Sequence, residues 1–160
     1  MRNFLRYWLP VLLWASVIFL FSTGLGAPRH TSRIIGPILR WFNPNVTDQT
    51  IADIQYGMRK VAHFTEYAIL SVLLWRARRR PRPNDTRPWQ SGDAFFAVCL
   101  ALFFAASDEW HQTFVPSRDG KPQDVLLDGC GAATAMVVVW RRWERKVAKC
   151  GVRSAECALK

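Results

Sequence analysis

Four carboxylates in the second half of the chain, Asp108, Glu109, Asp124 and Asp128, border or interrupt apolar runs, and His63 and Glu66 stand near the start of another. Carboxylates at the edge of oily segments cost free energy unless they are paired, hydrated or used. Neighbouring carboxyls in a low dielectric drive their pKa values apart, so one can hold a proton while another accepts one. On that chemistry His63, Glu66, Asp108, Glu109 and Asp124 are the candidate acid–base residues, with the imidazole as the natural base. Lys60 and Arg118 could clamp a phosphate or carboxylate, and Tyr67, Gln112 and Asp128 complete a candidate substrate-binding set. Asp108, Glu109, Asp124 and Asp128 with His63 could instead hold a divalent cation, since oxygen-rich sites suit Mg, Ca or Mn and one His also admits Zn. No HxxxH or HExxH is present, so metal and cofactor stay open. The plainer alternative is a structural network in which His63, Glu66, Asp108, Arg118 and Asp124 neutralise one another and fix helix packing. His30 reads as a solvated loop residue, and His111 as interfacial.

These residues need oily elements to position them. Half of the 160 residues are apolar although the net charge is +10, because the charges are banked between apolar runs. The runs predict four membrane helices at about residues 4–22, 58–76, 92–114 and 123–141, in an all-α polytopic bundle. Each apolar core is about 15–18 residues, short of the roughly 20 needed to cross a bilayer, so polar end residues must be drawn into the span. Pro10 is expected near the start of the first helix, where proline is tolerated. A cleaved signal peptide is the alternative for that run, but its apolar stretch is long and bulky for one. Residues 34–42 alternate apolar groups with Arg40 as an interfacial helix does, and could form a lid over the site. Thr47 or Asp48 could cap the helix that follows. Lys60, His63, Tyr67 and Ser71 share one stripe at about 100° per residue, as do Asp108, His111 and Gln112, with Glu109 pointing roughly 100° from Asp108. Asp124 and Asp128 share a face with Gly131 and Ala135, small residues that let helices approach closely.

Lys and Arg concentrate in the amino terminus, in the connection around residues 76–87 and after residue 140. By the positive-inside rule both termini are cytoplasmic, in a multi-pass inner-membrane protein. The candidate site then faces outward. The chain divides into a membrane domain over residues 1–145 and a basic cytoplasmic tail over 146–160. The expected partners are membrane lipids, with anionic head groups at the basic loop and tail, and no nucleic acid. A soluble four-helix protein is disfavoured by a face as oily as Ala94–Ala106. The four cysteines show no metal spacing, and a structural disulfide is not expected.

Three ordered segments carry a resemblance: Arg59-Lys60-Val61-Ala62-His63-Phe64-Thr65-Glu66-Tyr67, Asp108-Glu109-Trp110-His111-Gln112-Thr113-Phe114-Val115-Pro116-Ser117-Arg118, and Asp124-Val125-Leu126-Leu127-Asp128-Gly129-Cys130-Gly131-Ala132. With Phe21-Ser22 they resemble the VanZ-like family over about residues 10 to 140. The resemblance implies a small bacterial integral membrane protein, and the family's namesake is associated with resistance to teicoplanin-type glycopeptides. It implies a context, not a reaction. The function expected is recognition, with conversion left open, of an anionic amphiphile or lipid-linked envelope component at the outer leaflet. The rival is a non-catalytic packing or binding protein.

Overall fold

A computed structural model describes residues 2–23, 28–82, 85, 87–115 and 120–158. Among them the chain is all-α: α1 Arg2–Ser22, α2 Pro28–Phe42, α3 Asp48–Arg79, α4 Ser91–Gln112 and α5 Pro122–Ala158. Five helices thus stand where four spans and an interfacial segment are expected. Two of them, Phe4–Ser22 and Ser91–Gln112, are long and apolar enough to cross a membrane. α3 and α5 carry Lys60, His63, Glu66, Asp124 and Asp128 in the corresponding stretches, which lowers their hydropathy.

Local chemistry sets the helix ends. Thr47 caps α3, its side chain accepting from Thr50 N at 3.2 Å. α3 therefore begins about three turns ahead of its apolar run, and Gln49 Nε2 donating to Asp53 Oδ1 at 3.0 Å supports the added turns. It ends at Arg80, whose left-handed backbone (φ 48°) donates to Arg76 O at 2.9 Å, and Pro81 follows. Pro122 opens α5 with Asp124 in its first turn, which suits the helix dipole. α5 then continues unbroken to Ala158, so the basic tail extends the same helix. Pro10 falls inside α1 and not in its first turn, and Pro37 falls inside α2.

α3 and α5 run side by side in the same direction, joined by Lys60–Asp124 at one end and by Trp75 against Trp143 (5.6 Å) near the other. Gly131 makes their approach possible, because a Cβ there would collide with the Phe64 backbone. Next to it, Ser71 Oγ lies 3.2 Å from Ala132 O. α4 runs the opposite way on a stripe of small residues, Ala97, Ala101 and Ala105, each 0–1% exposed. α1 covers α3 and α4, with the Trp14 indole donating to Glu66 O at 2.9 Å. Among the described residues α2 packs on α3, beside Ile51 and Gln55, and is held by Arg40–Asp48 at 2.5 Å. It lies several turns before His63, not over the candidate site.

The bundle has two unlike ends. At one, Arg78 Nε reaches Asp93 at 2.9 Å, and the buried Arg79 lies over Trp143 and donates to Pro88 O at 2.6 Å. The start of α1 and the α3–α4 connection share this end. At the other end lie the end of α1, the end of α4, the start of α5 and the acidic residues.

Candidate functional site

The stripes that pack the helices also deliver the polar groups. On α4 the buried stripe of alanines continues into Asp108, Glu109 and Gln112, which are 7%, 5% and 1% exposed. On α5 it starts with Asp124 and Asp128 before reaching Gly131 and Ala132. On α3 it carries His63 and Tyr67. Glu109 is buried although a helix projection aims it about 100° from Asp108. The reason is that α4 is enclosed by both α3 and α5, so its buried arc is wide.

Two contacts tie the cluster to the scaffold. Lys60 Nζ donates to Asp124 Oδ1, linking α3 to the first turn of α5. Gln112 Nε2 donates to Asp108 Oδ2 at 2.9 Å, one turn along α4. A third contact, Lys121 N donating to Glu109 Oε2 at 2.8 Å, was not anticipated from the sequence, since a backbone donor leaves no residue-type signal.

The remaining groups converge without hydrogen bonds between them. His63, Glu109 and Asp128, from α3, α4 and α5, each place a ligand atom within 4.8 Å of the others. His63 Nδ1 stands 3.6 Å from Asp128 Oδ1, beyond hydrogen-bond length. Among the described residues, His63 Nδ1, Glu109 Oε1, both Asp128 oxygens and the Tyr67 hydroxyl are buried with no hydrogen-bond partner. Such atoms cost about 1–3 kcal/mol each when left unmade, so their concentration in one place marks a site. Glu66 is half-buried on α3 beside the cluster and outside the close trio. Arg118 lies outside the described residues. The His111 ring packs against Phe19 of α1, with centroids 4.8 Å apart and planes tilted by 46°.

Next to the cluster a cavity of about 190 Å³ opens between α1, α3 and α4. Ala15, Ile18, Phe19, Leu70 and Phe104 make its apolar wall, and Tyr67, Ser107 and Asp108 make its polar one. The contribution of α1 was not expected, because its residues carry no polar signal.

A family model described as VanZ/LLP1 matches residues 7–143, which span α3 and α4 and the parts of α1 and α5 that contribute to this site. The chain belongs to the VanZ/LLP1 family. Comparison with curated proteins and with solved structures gives no match. Family membership and the two apolar helices together support a membrane protein. Large apolar side chains face outward in this VanZ/LLP1 chain, and polar ones are enclosed. Phe95, Phe103 and Leu126 are 73%, 68% and 69% exposed, while Gln112 and Asp128 are 1% exposed.

Proposed function

We propose that this VanZ/LLP1 protein recognises an anionic amphiphile of the bacterial envelope, seating its apolar chain between α1, α3 and α4 and its head group at the carboxylate cluster. One observation carries this reading: an apolar cavity of about 190 Å³ whose lining includes the polar residues Tyr67, Ser107 and Asp108, next to the carboxylate cluster. Apolar cavities of this size stay dry and accept apolar ligands, and a polar wall fixes which end of an amphiphile enters. Lys60 supplies positive charge beside the acidic groups, and Arg118 is proposed to add to it. Conversion of the ligand by His63, Glu66, Asp108, Glu109 or Asp124 is the stronger form of the proposal. A contribution to glycopeptide tolerance would then act through an envelope lipid held or altered at this site.

In the membrane, the arginine end faces the cytoplasm and the acidic end the outer leaflet, with α2 on the interface. The exposed Ile38, Trp41 and Phe42 of α2 support that placement. Basic residues at the α3–α4 connection and along α5 then meet anionic head groups. Cysteine labelling in intact cells, in a background freed of the four native cysteines, checks the orientation. Position 119 should react from outside, and positions 85 and 149 only after permeabilisation. The reverse pattern overturns it.

The ligand is tested by native mass spectrometry of protein extracted in lipid nanodiscs. A bound lipid species should be retained by the wild type and lost from Ala15→Phe, which fills the cavity, and from Asp108→Asn. Incubation with envelope lipid extract reads conversion as loss of one species and gain of another. A second reading, a purely structural polar network, is favoured by the Lys60–Asp124 and Gln112–Asp108 contacts. It requires that no lipid be retained and that both substitutions act only on folding.

A further inference from the structure

We infer that His63, Glu109 and Asp128 form a divalent-cation site, of the kind that takes Zn²⁺ or Mn²⁺, at the junction of α3, α4 and α5. This goes beyond lipid recognition and does not depend on it. The first ground is geometric: one imidazole nitrogen and two carboxylate oxygens from three separate helices lie within 4.8 Å of one another. The second is independent of proximity. Asp128 is 1% exposed, yet neither of its oxygens has a hydrogen-bond partner among the described residues. Glu109 Oε1 and His63 Nδ1 are in the same condition.

Neighbouring groups do not relieve this. The Lys60 ammonium is engaged by Asp124, and the Gln112 amide donates to Asp108. Lys121 N holds Glu109 Oε2, which fixes that carboxylate and leaves its other oxygen without a hydrogen-bond partner among the described residues. Two buried carboxylates so close together repel each other, and one dication neutralises both while accepting the imidazole lone pair. The Lys121 contact is also the outer-shell support that ligating carboxylates typically have.

The donor set selects the ion. One nitrogen and two oxygens are too few and too mixed for Ca²⁺, which takes six to eight oxygens, whereas Zn²⁺ and Mn²⁺ accept N and O together. Bonds of about 2.0–2.2 Å put ligand atoms roughly 3.3–3.5 Å apart in a tetrahedral site, so closure requires side-chain rotations of about an ångström. Three protein ligands leave at least one position open to water or to a head-group oxygen.

The full chain, purified in detergent, freed of any tag and treated with chelator, is dialysed against Zn²⁺, Mn²⁺, Mg²⁺ or Ca²⁺ separately. Elemental analysis should give close to one Zn²⁺ or Mn²⁺ per chain and no stoichiometric Ca²⁺. Binding should raise the unfolding temperature and weaken at acid pH, because the ligands must be deprotonated. Asp128→Asn and Glu109→Gln should each weaken binding by more than the roughly 10–100-fold that loss of an outer-shell partner costs. Asp53→Asn, an exposed acid on α3, should leave it unchanged. Should both ligand variants fail to fold, electron paramagnetic resonance of Mn²⁺-loaded wild type decides, through coupling to one imidazole nitrogen. No stoichiometric metal on the wild type, equal affinity in the folded ligand variants, or no nitrogen coupling overturns the site. A wild type that retains lipid but takes up no stoichiometric metal would leave the amphiphile reading standing while this one falls.

Discussion

Lys60 on α3 and Asp124 in the first turn of α5 form an ion pair that fixes the register of these two parallel helices at the acidic end. The carboxylate side chain is 10% exposed and the Lys60 side chain, its ammonium 5.0 Å from the Tyr56 ring centroid, is 24% exposed. Removing one partner of such a pair leaves the other charge unpaired, whereas removing both restores neutrality. Lys60→Met should lower stability by about 1–3 kcal/mol, a figure kept below that of fully buried pairs because Lys60 is partly exposed. Lys60→Met with Asp124→Asn should recover most of the loss. Thermal unfolding in detergent, arranged as a double-mutant cycle, checks it, and strict additivity would show that the pair is not coupled.

Gly131 predicts a sharper effect. Its position against the Phe64 backbone leaves no room for a side chain, and backbone cannot rotate aside as a side chain can. Gly131→Leu should force α3 from α5 and abolish a monodisperse peak in fluorescence-detected size exclusion. Gly57 and Gly92 have open space where a Cβ would go. Gly57→Ala, inside α3, should be neutral or stabilise by up to about 1 kcal/mol, since glycine costs a helix that much.

How much of this was legible follows from which signals are local. The 3.6-residue period marked His63, Tyr67 and Ser71 as one stripe of α3, and Asp108 and Gln112 as one stripe of α4, and those residues do face the bundle. The Thr47 cap was readable from residue type. Helix length was not, because the ends of apolar runs are where lipid burial ends, whereas α3 and α5 continue in polar sequence. Glu109, His63 and Asp128 were all in the expected ligand set, but that these three, among the described residues, form the close trio was hidden. It depends on α4 lying between two parallel helices, a tertiary fact that no spacing encodes. The resemblance to the VanZ-like family, in contrast, rested on ordered motifs and is matched by family membership over residues 7–143.

Asp85, in the connection between α3 and α4, should give that end of the molecule its own acid dependence. Its carboxylate accepts from Arg87 Nε at 2.8 Å and from the backbone N–H of Arg87 at 3.1 Å and Arg82 at 3.4 Å. Chiefly through Arg87, its carboxyl is held well below the usual carboxylate range. A carboxyl with a depressed folded-state pKa contributes stability that is fully present above the unfolded value, about 3.9. That contribution is lost as pH falls through the folded value. The wild type should therefore unfold at a higher temperature than Asp85→Asn by a constant margin from pH 8 to about pH 5. The margin should shrink below about pH 4. A margin that narrows instead toward alkaline pH would contradict the sign.

Tyr67 separates a ligand-binding role from a packing role most cleanly. It is 1% exposed in the core of α3, and its ring is part of the hydrophobic cluster with Leu70, Leu74 and Ala105. Its hydroxyl is buried with no hydrogen-bond partner among the described residues, and the residue is part of the cavity lining. Removing a buried hydroxyl that makes no internal bond relieves a desolvation cost of about 1–3 kcal/mol, while the ring that packs the core is kept. Tyr67→Phe should therefore leave the unfolding temperature unchanged or raise it. The same substitution should weaken retention of the co-purifying lipid about 10-fold, as expected for one lost hydrogen bond of about 1.4 kcal/mol. Differential scanning fluorimetry and native mass spectrometry on the same preparation read the two effects together. A fall in unfolding temperature with unchanged lipid retention would assign the hydroxyl to the scaffold and remove Tyr67 from the site.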